Sequence, residues 1–185
     1  LRLKHPLYGD VVRRLVPAAR SARLRRRLLT VSDPGTEQGE NLLRWVSWSL
    51  DCGADVPDSS LVAAAYRANN LFDSALAFRL ATAVKDPAYA MAARVQAARA
   101  RFQDGKPEAA RELILGVSAA AADLTTLKMA VLIRVELFRL QPTDDGGLSA
   151  VAADWLAGVD RIEESAGENP DSALAADILS SRRGG

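Results

Sequence analysis

The side chains with the widest chemical repertoire are the scarcest here: 185 residues contain one histidine, His5, and one cysteine, Cys52. A lone thiol makes no intramolecular disulfide, and one imidazole with one thiol does not assemble a metal constellation. The chain has no phosphate-cradling glycine loop, no GxSxG, no HExxH and no CxxC. The carboxylate pairs Glu163-Glu164 and Asp144-Asp145 are sequence neighbours at a helix end and in a loop. Such pairs are solvated or capping groups, since an acid and a base must face each other across a substrate. Cys52 closes an apolar helix and reads as a small buried hydrophobe. The sequence therefore points away from an enzyme, with no catalytic residue, no metal and no cofactor site expected in this chain.

Charge is the strongest remaining signal. Residues 1 to 27 hold nine Arg or Lys against Asp10 alone, a balance of +8, so the remainder is −7 although the whole is +1. Such asymmetry fits an anionic partner, an interface with an acidic neighbour, or a fragment of a longer chain. Within the cluster Arg20, Arg23 and Arg27 share one helix face and form the candidate interface, whereas Arg25 and Arg26 point elsewhere. A nucleic-acid reader would place them on one accessible face beside stacking aromatics, and no aromatics are interleaved. A solvated face or an interdomain contact is the better reading.

The elements that position these groups are helices. The chain is 49% apolar and only 5% aromatic, with abundant alanine. That composition favours closely packed helices over strands, which want β-branched and aromatic residues. With one cysteine, no signal-peptide pattern and no apolar run near about 18 residues, the expectation is a cytoplasmic protein with no membrane segment.

Self-similarity organises the middle of the chain. At a spacing of 34 residues Leu61 maps onto Val95, Ala64 onto Ala98, Ala75 onto Ala109 and Leu80 onto Ile114. Two amphipathic helices per 34-residue period, with alanine at close contacts, is the signature of a tetratricopeptide-like array. The expected fold is all-α, a right-handed superhelix of antiparallel helix pairs with a short N-terminal helical appendage. The basic appendage covers 1–31, a linker 32–40, the repeats 41–164 and a partial, fraying repeat 165–185.

Inside the array, a helix from about Thr36 to Cys52 carries Trp45 and Trp48 as core, with Gly53 as its C′ residue. Helices follow from Asp58 to Ala68 and along Phe72, Leu76, Leu80 and Ala83. The next pair runs along Met91, Val95, Ala98 and Phe102, then Ala110, Leu113, Ile114 and Val117. Leu124 to Leu140 is apolar almost all round. It is expected to be a central, buried helix or else one face of a homo-oligomer contact. Leu148, Val151, Trp155, Val159 and Ile162 complete a third pair, and a weak helix around Ala173 to Leu179 follows.

Two phrases carry a family resemblance. His5-Pro6-Leu7-Tyr8-Gly9-Asp10 with Arg20-Ser21-Ala22-Arg23-Leu24-Arg25-Arg26-Arg27-Leu28 resembles the end of the winged-helix region in the large ATP-binding LuxR-family transcriptional regulators of actinobacteria. Trp48-Ser49-Leu50-Asp51-Cys52-Gly53-Ala54 and then Leu61 to Ala83 resemble the first helices of that family's tetratricopeptide-like segment. Relatives read Arg-x-x-x-Leu-His-Arg where this chain has Arg23-Leu24-Arg25-Arg26-Arg27, without the histidine. The resemblance covers roughly residues 1 to 115. It implies a regulatory piece that relays an effector, protein or small molecule, to an ATPase and a helix-turn-helix domain lying outside this chain. ATP or ADP and DNA would then be engaged by those neighbours. His5 by itself reads as an exposed or locally hydrogen-bonded ring with no special role; the alternative the resemblance implies is a contact with ADP phosphates in the full-length protein, which suits an imidazole at a helix N-terminus. A free-standing helical-repeat adaptor and a direct nucleic-acid binder using the basic end are the alternatives.

Overall fold

The computed structural model describes residues 40–142 and 147–167, together with Arg23 and Arg27. Among the described residues the fold is all-helical. Helix α1 spans Glu40–Asp51, α2 Asp58–Asn70 and α3 Ser74–Thr82. A single 3₁₀ turn at Pro87–Tyr89 leads into α4, Ala90–Gln103, which is followed by α5, Pro107–Ile114. Then come α6, Val117–Ala120, α7, Leu124–Leu140, and α8, Gly147–Gly167. The expected appendage, most of the linker and the tail beyond Gly167 lie outside the described residues, as do His5 and Arg20.

Local chemistry sets the helix boundaries. At the end of α1, Gly53 takes φ +67° and Ala54 N–H donates to the Ser49 carbonyl at 2.9 Å. This is the left-handed ending expected of Gly53. Between α2 and α3 the chain reverses through Leu71-Phe72-Asp73. Asp73 N–H donates to the Ala68 carbonyl at 2.9 Å, while the Asp73 carboxylate accepts from Leu76 N–H at 3.1 Å. One residue thus ends a helix and caps the next. The turn between α4 and α5 repeats the first half of this arrangement, with Lys106 N–H on the Arg101 carbonyl at 2.9 Å. Lys106 also hydrogen-bonds Asp104 and holds that carboxyl below the usual carboxylate range, with Arg101 adding to the effect.

The two turns place their left-handed residues at Phe72, φ +59°, and Gly105, φ +71°. Turn to turn, the repeat is 33 residues, one fewer than the spacing that aligns the first helices. That offset explains a correction to the alanine alignment. Ala75 is exposed and Ala109 only half-buried. The fully buried small residues of the second helices are Ala77 in α3 and Ala110 in α5, which are 33 apart. Leu61 with Val95, Ala64 with Ala98 and Leu80 with Ile114 are buried as aligned.

Two more expectations change. Ala110 to Val117 is not one helix: Gly116 takes φ +74° and starts a separate short helix, α6. And α7 is not the helix covered on most sides. Its Thr126, Leu127, Ala130, Ile133 and Leu137 are buried, but Leu132 and Leu140 are exposed. The central helix is α4. Its Ala97 and Ala100 pack with Leu42, Val46, Leu61 and Leu80 in a first core, while its Val95 and Ala98 pack with Ile114, Val117, Ala130 and Leu137 in a second. Small side chains let neighbours close on α4 from both sides, so a buried helix is built without a long apolar run. A third, smaller cluster joins Ala121, Leu127 and Ile162.

Polar contacts tie helices that are distant in sequence. The fully buried Asn69 donates from Nδ2 to the main-chain and side-chain oxygens of Gln96, both at 3.0 Å. Gln103 in turn donates to the Asn69 carbonyl at 3.0 Å. Arginines satisfy helix-end carbonyls of their neighbours: Arg94 on Leu113 and Leu115, Arg111 on Leu137 and Gln141, and Arg161 on Ser118 and Ala121. The last turn of a helix leaves carbonyls without intrahelical donors and carries partial negative charge, so a guanidinium serves both needs.

Candidate partner-binding groove

Helices α2, α4 and α7 each open a helix pair, and α4 packs against both of the others. The stripes they turn outward line one groove of about 490 Å³. From α2 come Val62, Tyr66, Arg67 and Asn70, recurring at three and four residues and so sharing a helix face. Tyr89, from the 3₁₀ turn, with Val95 and Gln96 of α4, supplies the middle, and Thr125, Thr126 and Met129 of α7 the far wall. Val95 is 1% exposed and forms part of the floor, whereas Tyr66 and Tyr89 are 44% and 37% exposed and stand open on the walls.

Arg67 is the one charged residue among those lining the groove. No carboxylate is among its lining residues. Arg67 lines it directly, and Arg99, three residues beyond Gln96 on α4, sets its guanidinium 5.8 Å from the centre of the Tyr66 ring. Neither arginine is ion-paired to a described carboxylate. The nearby Asp58 at the start of α2 accepts from the main-chain N–H groups of Lys85 and Asp86, at 3.3 and 2.7 Å, which helps set the entry to the 3₁₀ turn.

Two other depressions differ in character. A smaller cleft of about 250 Å³ between α5 and α8 is bordered by Arg111 and Arg134, both already bonded within the chain, Arg134 to Asp154. An apolar trough of about 580 Å³ lies between α7 and α8, where Val131, Leu132, Val135, Leu148 and Trp155 meet. It is the side of α7 that was expected to be covered.

Of the candidate interface residues, Arg23 and Arg27 are helical and exposed, and Arg20 lies outside the described residues. His5, the candidate phosphate contact, also lies outside them. Cys52 is buried at the end of α1, as a small hydrophobe should be. Trp45 and Trp48 are half-buried in the same helix. Among the described residues no three His, Cys, Asp or Glu side chains converge as metal ligands, and no helix is long and apolar enough to cross a membrane.

The groove residues were not singled out by sequence reasoning. Their signal was nonetheless present: Val62, Tyr66 and Asn70 are four apart on the face opposite the buried Leu61, Ala64, Ala65 and Ala68. An open tyrosine on an alanine-rich helix is conspicuous once the buried face is known. Comparison with protein-family models, with curated proteins and with solved structures finds no match to this chain.

Proposed function

We propose that this chain is a non-catalytic protein-interaction segment of a transcriptional regulator of the large ATP-binding LuxR type, built as a tetratricopeptide-like array. Its role is to relay the binding of an effector or partner to an ATPase and a DNA-binding domain outside the chain. One observation carries the interaction reading: a single groove is lined by the opening helices of three successive pairs, α2, α4 and α7. A surface assembled from the same position of consecutive units is how helical repeats offer extended binding sites. The link to a regulator rests on the sequence phrases at His5 to Asp10, Arg20 to Leu28 and Trp48 to Ala54.

The reading frame around this chain is the decisive test. A phosphate-binding loop upstream and a helix-turn-helix downstream are expected, and the absence of both leaves a free-standing adaptor in place of the regulator. In the regulator, the isolated chain binds neither ATP nor ADP, while His5→Ala in the full-length protein weakens ADP retention and raises basal transcription. Wild-type ADP affinity and basal activity in that variant remove His5 from the mechanism.

A further inference from the structure

Two apolar features lie away from the groove, and the fold leaves both uncovered. At the tip of the turn between α2 and α3, Leu71 and Phe72 are 63% and 79% exposed. Phe72 holds a left-handed backbone, φ +59°, where the equivalent turn between α4 and α5 uses Gly105. Neither burial nor backbone preference calls for a phenylalanine there, so what the ring can contribute lies outside its own chain. The second feature is the trough of about 580 Å³ between α7 and α8, with room for both side chains of the tip. Val131, Leu132, Val135, Leu148 and Trp155 form its apolar wall, and Lys128, exposed and ion-paired to no described carboxylate, is its one charged lining residue. The tip carries the opposite charge: next to Phe72 the exposed Asp73 carboxylate caps α3 through the Leu76 N–H.

We infer that the Leu71-Phe72 tip of one copy of this chain seats in the α7/α8 trough of a second copy, joining copies head to tail. The two apolar side chains rest on Leu132, Val135, Leu148 and Trp155, and the Asp73 carboxylate meets the Lys128 ammonium. An apolar protrusion, an apolar recess and one opposite charge at the margin of each make complementary surfaces. Two troughs meeting face to face would instead bring two Lys128 ammonium groups together and leave Phe72 in water. Tip and trough belong to the first and third helix pairs and are different surfaces, so the contact is heterologous: a dimer keeps one unused tip and one unused trough. Two side chains and their margins bury less than the roughly 1,000 Å² of a stable interface, so the association is weak. Such a contact forms when copies are gathered at high local concentration and lapses when they disperse.

The test is sedimentation velocity on the 185-residue chain, whose average mass should rise with concentration, half-associated at roughly 0.1 mM. Phe72→Ser removes the tip and Leu132→Asp puts a charge in the trough, and each should weaken self-association about tenfold or more. Mixed together, the two variants should associate again, because the intact tip of the Leu132→Asp chain enters the intact trough of the Phe72→Ser chain. The product is a one-to-one dimer and nothing larger. Asp73→Asn keeps the helix cap and should weaken association about twofold, a loss absent from a Lys128→Gln background. Tyr66→Ala, in the groove between α2, α4 and α7, should leave association unchanged, which separates this contact from partner binding there. Circular dichroism confirms that each variant is folded. A chain that stays monomeric up to about 1 mM, association untouched by Phe72→Ser, or a mixture of the two variants that stays monomeric overturns the inference. Association lost in Leu132→Asp alone overturns it in favour of two troughs meeting face to face.

Discussion

Gly158 sits inside α8, and in an exposed helix interior its replacement by alanine would stabilise by about 0.8 to 1 kcal/mol through helix propensity alone. The packing here reverses that sign. A Cβ built on Gly158 would lie 2.7 and 2.8 Å from the two Cδ atoms of Leu127, well inside van der Waals contact. Leu127 is fully buried in α7 against Ala121 and Ile162, so its methyls have little room to withdraw. Forcing an extra methyl into a packed site typically costs about 1 to 3 kcal/mol. Set against the propensity gain, Gly158→Ala should destabilise by about 1 kcal/mol net. Urea unfolding followed by far-UV circular dichroism would show this as a lower midpoint with an unchanged slope. The same substitution in a Leu127→Ala background has space to occupy and should there be stabilising, a coupling that a double-mutant cycle isolates. A midpoint raised equally by Gly158→Ala in both backgrounds would refute the close approach of α7 and α8.

The remaining expectations can be checked by the same unfolding assay. Ala77→Leu, at a fully buried position, should cost about 1 to 3 kcal/mol, whereas Ala75→Leu, two residues away and exposed, should change stability by less than about 0.5 kcal/mol. Equal effects would undo the equivalence of Ala77 with Ala110. Phe72 holds φ +59° with its ring 79% exposed, so Phe72→Gly relieves about 1 kcal/mol of backbone strain while losing little burial. A net gain of about 0.5 kcal/mol is expected, and a loss would mean the ring makes a contact that outweighs the strain. Asn69→Ala removes the donor to the buried Gln96 side-chain oxygen, and a second bond to its main-chain carbonyl, and should cost about 1 to 3 kcal/mol.

How much of this could be seen beforehand depended on which residues carry the information. Helix positions followed from periodicity, and Gly53 announced its turn because a left-handed ending favours glycine. The break after α2 was legible near Asn69-Asn70, but Phe72 read as part of the next helix because it holds the left-handed conformation of the turn as a residue that disfavours it. The roles of α4 and α7 were exchanged for a different reason. Apolar bulk on α7 suggested burial on most sides, but bulk reports side-chain type and not neighbours, and Leu132 and Leu140 face outward. In α4 burial was achieved with alanines and with Gln96, which hydropathy counts as unremarkable. The groove was illegible for a related cause: it is defined by three helices whose relative placement no single stretch encodes.

The shared position of α4 has a thermodynamic corollary for the chain as a whole. In a linear array whose units each own a separate core, stretches can open one at a time, and exchange of amide hydrogens reports a graded series of free energies. Here one helix contributes Ala97 and Ala100 to one core and Val95 and Ala98 to the next, so neither core can melt without stripping cover from the other. The span from α1 to α7 should therefore open as a single cooperative unit, with α4 amides exchanging only through that event. Helix α8, held mainly against α7, is free to open at lower cost.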